Sequence, residues 1–445
     1  MARRKNIVSK TRGTAALLSV GLLAAGWLLA AHAVTADDAA AAQNALIEEA
    51  EQYLADRLYV RAAALYEAAV NGYHTENNLF YEGELLGIYR QAGMLEQYYG
   101  LIEERMEAGR AAPEEYLEYA GRYLEEGMVY RALPVLKQAV EQHDDQRLSD
   151  LYESARCQYS AVNTVFSQAA IPSGDWYIPV YDGTYWGYIG ADGRTVLNFI
   201  YEEATCFSGD YAVVRLEGVY TLIDKSGYWN AVDKNALDEV TAICGERIVG
   251  VKDGRYAIYS NTFQPLQEET YEEVYLSENG LSVVRKDGRW AILDQNLQQV
   301  TDYRYTDMAV NSRGRVFEQN YAVAADETGY FLIDRKGEPC FEKRFPDAKG
   351  LEEGVFAVAD DSGRWGFADE KGELVLEYRF EDAFSFSDSL APVKSGGSWG
   401  YVNRDGDMVI EAQFEAAYPF LEGKSLAVDD LGYYRILSLK YYDLF

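Results

Sequence analysis

Apolar positions fall along this chain in three successive rhythms. From Ala15 to Val34 they run almost unbroken, a length that matches the ~30 Å hydrocarbon core of a bilayer. From Ala40 they recur at helical spacing, with Leu46, Ala50, Tyr53 and Leu54 on one face and Ala62, Leu65, Tyr66 and Ala69 on another. Beyond about residue 175 short apolar runs alternate with turn dipeptides. The pattern predicts a multidomain α + β chain. Residues 1–36 read as a membrane-targeting helix, 37–170 as helical hairpins and 171–445 as an all-β repeat array.

Arg3, Arg4, Lys5, Lys10 and Arg12 all precede the first run, and no acid comes before Asp37. That asymmetry puts the N-terminus in the cytoplasm and everything after the run outside. Ala31-His32-Ala33 offers a small-residue cleavage site, so the segment reads equally as a cleaved signal peptide or a retained transmembrane anchor. The expected location is the cell membrane with extracytoplasmic C-terminal domains, or the exterior if the signal is removed.

Three stretches of the helical region align: Tyr53 to Tyr59, Tyr89 to Leu95 and Tyr123 to Val129, the last two with Gly93 and Gly127 at the same place. Helix, glycine turn and helix at a ~34-residue period resemble degenerate tetratricopeptide units, with a closing helix expected near Arg147 to Tyr159. The fuller family signature of Trp, Leu-Gly and a terminal Pro is absent. The resemblance implies a concavity that grips peptide; a plain stalk or cap is the competing expectation.

In the array an aromatic residue recurs at Trp186, Tyr220, Tyr256, Trp290, Tyr330, Trp365, Trp399 and Tyr434, in steps of 34, 36, 34, 40, 35, 34 and 35. Each sits in a short apolar strand bracketed by turns such as Asp182-Gly183, Asp253-Gly254 and Asp287-Gly288, whose residue types suit the positive φ of a tight hairpin. Tyr211-Ala212-Val213-Val214 and Tyr330-Phe331-Leu332-Ile333 lack polar alternation, as strands covered on both faces do. That favours a β-propeller-like array of seven or eight blades over a β-solenoid. The units resemble the WG repeat, whose consensus runs as lysine, Asp-Gly, a variable residue, Trp-Gly-Tyr-Ile-Asp, then Gly. Trp186-Gly187, Trp365-Gly366 and Trp399-Gly400 match best, while units at 220, 256, 330 and 434 put Tyr for Trp and lose the Gly. The family implies no chemistry. The expected role of the aromatics is structural, with Gly letting the indole lie across neighbouring backbone.

A net charge of −31 excludes a nucleic-acid footprint and suits a soluble surface or one that attracts cations. Carboxylates recur at one repeat position: Glu202, Glu203, Asp238, Glu239, Glu272, Glu273, Asp307, Asp347, Glu381, Asp382 and Glu415. Equivalent positions share a rim, so an acidic rim is expected, either as a docking surface for a basic peptide, polyamine or divalent cation or as a solvated face. Beyond the N-terminal run only His74 and His143 remain, which leaves little for a catalytic triad or a histidine metal site. Cys157, Cys206, Cys244 and Cys340 form no CxxC pair and read as buried free thiols. Asn403 to Asp407 lacks the Gly and distal Glu of an EF-hand and reads as a hairpin turn. No catalytic residue, cofactor or metal is therefore expected. The composite expectation is a non-enzymatic binding or scaffold protein with a protein or peptide partner. The alternatives are a carbohydrate-active or carbohydrate-binding propeller, to which a paired carboxylate cleft would point, and an extracytoplasmic sensory domain.

Overall fold

The computed structural model describes residues 36–73, 75–171, 176–229 and 237–441. The apolar segment expected to target the membrane, and His74, lie outside these residues. No helix among the described residues is long and apolar enough to cross a membrane. The chain divides into one unit up to Glu115 and a second from Tyr116.

The helical region contains seven helices among the described residues: α1 (Ala36–Ala55), α2 (Tyr59–Gly72), α3 (Asn78–Ala92), α4 (Leu95–Glu107), α5 (Pro113–Glu125), α6 (Val129–Gln142) and α7 (Gln146–Arg156). The aligned stretches share one local cause. At each, a left-handed residue ends the helix: Arg57 (φ 59°), Gly93 (φ 72°) and Gly127 (φ 73°). The next amide then donates to the carbonyl of Tyr53, Tyr89 or Tyr123, at 2.8, 2.9 and 2.7 Å. These are Schellman turns, which satisfy carbonyls the helix end leaves open. In the first unit Arg105 joins three helices by pairing with Glu82 at 3.0 Å and Glu115 at 2.8 Å, while Arg110 holds the other oxygen of Glu82 at 2.7 Å. The closing helix is present, yet it ends at Arg156 and not near Tyr159. The Asp145 side chain caps its start by accepting from the Arg147 amide. Tyr159–Asn163 is a strand instead.

From that strand onward the second unit is a series of small antiparallel sheets, eight in number among the described residues, with three or four strands each. We number them I to VIII by the repeat aromatic each contains, from Trp186 to Tyr434. Consecutive sheets share an apolar cluster. Tyr188 and Leu197 of sheet I pack with Ala212 and Ile223 of sheet II, and Val213 and Tyr220 of sheet II with Val240 and Ile248 of sheet III. The series continues through sheet VIII. Leu426 and Ile436 of sheet VIII then pack with Ile178, Val180 and Ile189 of sheet I, so eight clusters complete a circuit. Tyr159–Asn163 supplies the last strand of sheet VIII, with Tyr159 opposite Leu439 and Asn163 opposite Arg435. The first and last units, each short in sequence, thus complete one another.

Strand burial follows the pattern of covered faces. Val355–Ala359 is buried at every position and Trp365–Asp369 at four of five. The outer strand Leu374–Phe380 alternates, with Leu374, Leu376 and Tyr378 more covered than Val375, Glu377 and Arg379. One of its faces meets water.

Candidate functional site

All eight repeat aromatics are covered. Tyr220, Trp290, Trp365 and Trp399 are buried, and Trp186, Tyr256, Tyr330 and Tyr434 are half-buried. Their contacts are internal: Trp290 stacks on Tyr275 with ring centroids 5.4 Å apart, and Lys349 Nζ lies 4.7 Å from the Trp365 ring. The glycines of the Trp-Gly pairs leave no room for a side chain. A Cβ on Gly366 would meet the Leu376 carbonyl oxygen at 2.6 Å, and one on Gly400 would meet that of Ile410 at 2.5 Å. Neighbouring backbone occupies the space at these two positions, and at Gly187 the Phe199 ring lies 2.8 Å from where a Cβ would stand. The three Trp-Gly units are the ones whose outer strand runs for seven residues past a bulge: Thr195–Tyr201, Leu374–Phe380 and Met408–Phe414. In the units at 256, 290 and 330 isolated bridges such as Trp290 to Tyr305 replace it, and a side chain fits after the aromatic.

The rim carboxylates repeat a local task. Glu202 accepts the Gly218 amide at 3.0 Å, Asp238 the Asp253 amide at 2.6 Å, Glu272 the Gly288 amide at 3.0 Å and Glu381 the Gly397 amide at 3.2 Å. Each caps a hairpin turn built on two consecutive left-handed residues, such as Asp253-Gly254 (φ 52° and 70°). The second carboxylate reaches inward: Glu203 accepts the Tyr220 hydroxyl at 2.5 Å and Asp307 that of Tyr330 at 2.7 Å. Burial first, and then these carboxylates, push both phenols well above their ordinary pKa. Glu273 accepts the Tyr275 hydroxyl, and Arg215 and Arg285 pair with the acids of their own units. Asp347 and Asp382 accept the amide that follows each, and Lys349 pairs with Asp382 at 3.8 Å. Glu239 and Glu415 are exposed.

A second carboxylate series went unread. The hairpins joining first to second strands carry Glu318, Glu353, Asp388 and Glu422, at steps of 35, 35 and 34 within Phe317-Glu-Gln-Asn, Leu351-Glu-Glu-Gly, Phe386-Ser-Asp-Ser and Phe420-Leu-Glu-Gly. That period is the signal that could have found them. These hairpins are bonded to one another across sheet boundaries. Glu353 accepts the Ser389 amide at 3.1 Å, Asp388 the Gly423 amide at 2.7 Å, and Ser208 Oγ the Gly245 amide at 3.2 Å. Asn279 donates to the Gln319 carbonyl and Arg247 to that of Gly280. Ahead of sheet I, Trp176 Nε1 donates to the Leu421 carbonyl and Ile171 accepts from Cys206 Sγ. Ser312 completes the set by donating to Glu352.

Asn403 forms a side-chain turn, its Oδ1 accepting the Asp405 and Asp407 amides at 3.1 and 2.8 Å, so the segment is the expected hairpin turn. Among the described residues no group of three His, Cys, Asp or Glu could hold a metal ion. The four cysteines are free. Cys157 is buried and its thiol is pushed up to about 11 by burial, but Cys340 is exposed, against expectation, because it sits where sheet V has a loop in place of an outer strand.

No curated protein matches the chain. Solved structures similar to it include Hsv2p of Kluyveromyces lactis, at 10% identity and TM-score 0.37 over 54% of this chain and 94% of that one. An AfRom2 CNH domain is similar at 9% identity and TM-score 0.34 over 54% and 94%. BBS1N, solved in complex with ARL6DN, is similar at 10% identity and TM-score 0.32 over 62% and 92%. The family model described as "WG containing repeat" matches residues 186–220, 365–399 and 399–430, the stretches that begin on the three Trp-Gly pairs, and this chain therefore carries the WG repeat.

Proposed function

We propose that this chain is a non-enzymatic docking protein of the cell envelope, exported or membrane-anchored, that holds a protein or peptide partner on its tandem repeats. In this reading the eight sheets are the blades of a propeller. The observation that carries it is the completed circuit: eight shared clusters and a first strand that finishes the last sheet. A closed circuit leaves two sets of turns at the sheet ends, and both carry carboxylates at the repeat period. Such an array is rigid and strongly negative, which suits a basic partner and draws it in over a range set by ionic strength. The helical hairpins would add a peptide grip or a spacer from the bilayer.

The test uses exposed rim acids that cap no hairpin turn. Glu239→Lys, Asp347→Lys and Glu415→Lys together should weaken retention of a lysine-rich peptide and flatten its salt dependence. Unchanged retention, with the fold intact by circular dichroism, would reject the rim as the docking surface. Export has its own measurement: added protease should digest the array in intact cells, and full protection would reject the envelope location.

A further inference from the structure

Three sheets end in a seven-residue outer strand that pairs on its inner side alone: Thr195–Tyr201 in sheet I, Leu374–Phe380 in sheet VI and Met408–Phe414 in sheet VII. Such an edge presents a row of open N–H and C=O groups that another strand can extend, and proteins guard long edges with charge. Two of the three are guarded. The face that meets water reads Val375, Glu377 and Arg379 in sheet VI, and Val409, Glu411 and Gln413 in sheet VII. Val375 and Val409 each stand ten residues after the repeat tryptophan, and the matching positions of sheet I are Val196, Asn198 and Ile200. All three are exposed, Val196 at 41% and Ile200 at 44%, and no residue of Thr195–Tyr201 is charged. The strand is held in shape from behind, with Leu197 and Tyr201 buried and Phe199 stacked on Phe166 at 5.5 Å between centroids. The edge of sheet VIII, Tyr159–Asn163, is uncharged as well, but it is shorter and exposes only Ser160, Ala161 and Asn163.

The edge of sheet I is complementary to itself. Laid antiparallel on a second copy about Asn198, the middle of its seven residues, Val196 stands opposite the partner's Ile200 and Asn198 opposite the partner's Asn198. The same operation on the other two edges sets Glu377 against Glu377 and Glu411 against Glu411, like charges directly opposite, which oppose pairing. A one-residue slip would set exposed positions against covered ones, so the face pattern holds the register. We propose that a second copy of this chain pairs at the outer strand of sheet I, edge to edge about a two-fold axis, joining two three-stranded sheets into one of six. An edge runs along the side of a sheet and the rims lie at its ends, so the pairing leaves the acidic rims open and goes beyond the docking role. Two chains of −31 each repel, which keeps the contact small and reversible and makes it tighten with salt.

The test is sedimentation velocity of the full chain over a concentration series. The parent should show a monomer–dimer equilibrium with a dissociation constant of about 10 µM, tighter in about 0.5 M salt than in about 0.1 M. Asn198→Glu and Asn198→Lys each put like charges opposite one another at the axis and should weaken the dimer about tenfold. Asn198 is exposed, so the melting temperature of either variant should not change. Mixed in equal amounts, the two variants set Glu against Lys and should recover the parental affinity, which damage to the fold could not do. A parent that stays monomeric up to about 200 µM overturns the proposal. So does a dimer that both substitutions leave intact, or one that loosens as salt rises. Weakening by each variant with no recovery in the mixture would place the contact away from Asn198 and overturns the pairing too.

Discussion

Gly400 has no space for a side chain, since a Cβ there would also meet the Ala412 amide nitrogen at 2.7 Å. Because the obstacle is backbone, it cannot turn aside as a rotamer would. Gly400→Ala should therefore cost about 1–3 kcal/mol, the range for overpacking. Gly100 lies inside α4 with nothing within 4 Å of the same position, and Gly100→Ala should gain about 0.5–1 kcal/mol through backbone entropy. Urea denaturation of the two variants checks both signs. Glu352 gives a pH-dependent contrast. Burial is the largest cause of its raised pKa, and the Ser312 hydroxyl and Arg313 guanidinium offset it only in part. The folded chain thus keeps a proton that the unfolded chain releases. Its contribution to stability is full below the ordinary glutamate pKa of about 4.3 and is lost as pH rises through the folded value. Glu352→Gln stays neutral at every pH, so its melting temperature relative to the parent should climb from pH 4 to pH 8. A flat difference would contradict the raised pKa.

At the scale of elements, one turn recurs with two chemistries. Gly93 and Gly127 adopt φ 72° and 73° freely, whereas Arg57 holds φ 59° with a side chain attached. The left-handed region costs an L-residue roughly 1–2 kcal/mol, partly recovered because glycine has more freedom to lose on folding. Arg57→Gly should then stabilise the first helical hairpin by about 0.5–1 kcal/mol, and Gly93→Ala should destabilise its neighbour by about 1 kcal/mol. Thermal melts followed at a helix band measure both. The aligned stretches were legible because tyrosine, turn and helix lie within seven residues. The same holds for the hairpins: Asp253-Gly254 and Asp287-Gly288 declare their turn type locally, and both show two positive φ values. What the rim carboxylates do was not legible. Glu202 accepts from Gly218, sixteen residues on, and only the folded hairpin brings them together. An acid placed to cap the next turn reads in sequence the same as an acid placed for a partner.

For the whole molecule, the eightfold period was readable from Trp186 to Tyr434, but the closure was not. Tyr159-Ser-Ala-Val-Asn163 has no repeat aromatic and no turn dipeptide, and it precedes its partner strand by more than 270 residues. Nothing local marks it as part of sheet VIII. Its value lies in what it joins. Val162 and Phe166 pack against the cluster shared by sheets VIII and I, and a Cβ on Gly193 of the sheet I turn would meet Val162 at 2.9 Å. In a linear stack of repeats a weakened end frays alone, because each unit touches only its neighbours. In a closed circuit the same weakening separates two units that both depend on the junction. Val162 and Ala161 are adjacent and so face opposite ways, Val162 half-buried and Ala161 exposed. Val162→Asp puts a carboxylate against that cluster and should cost about 2–4 kcal/mol, combining lost burial with a charge left without a partner. Ala161→Asp should stay within about 0.5 kcal/mol. Calorimetry of the full chain distinguishes the architectures. A circuit predicts that Val162→Asp lowers the transition of the whole array as one event. A separate early transition, with the main one unmoved, would mean that sheets VIII and I are merely the two ends of an open array.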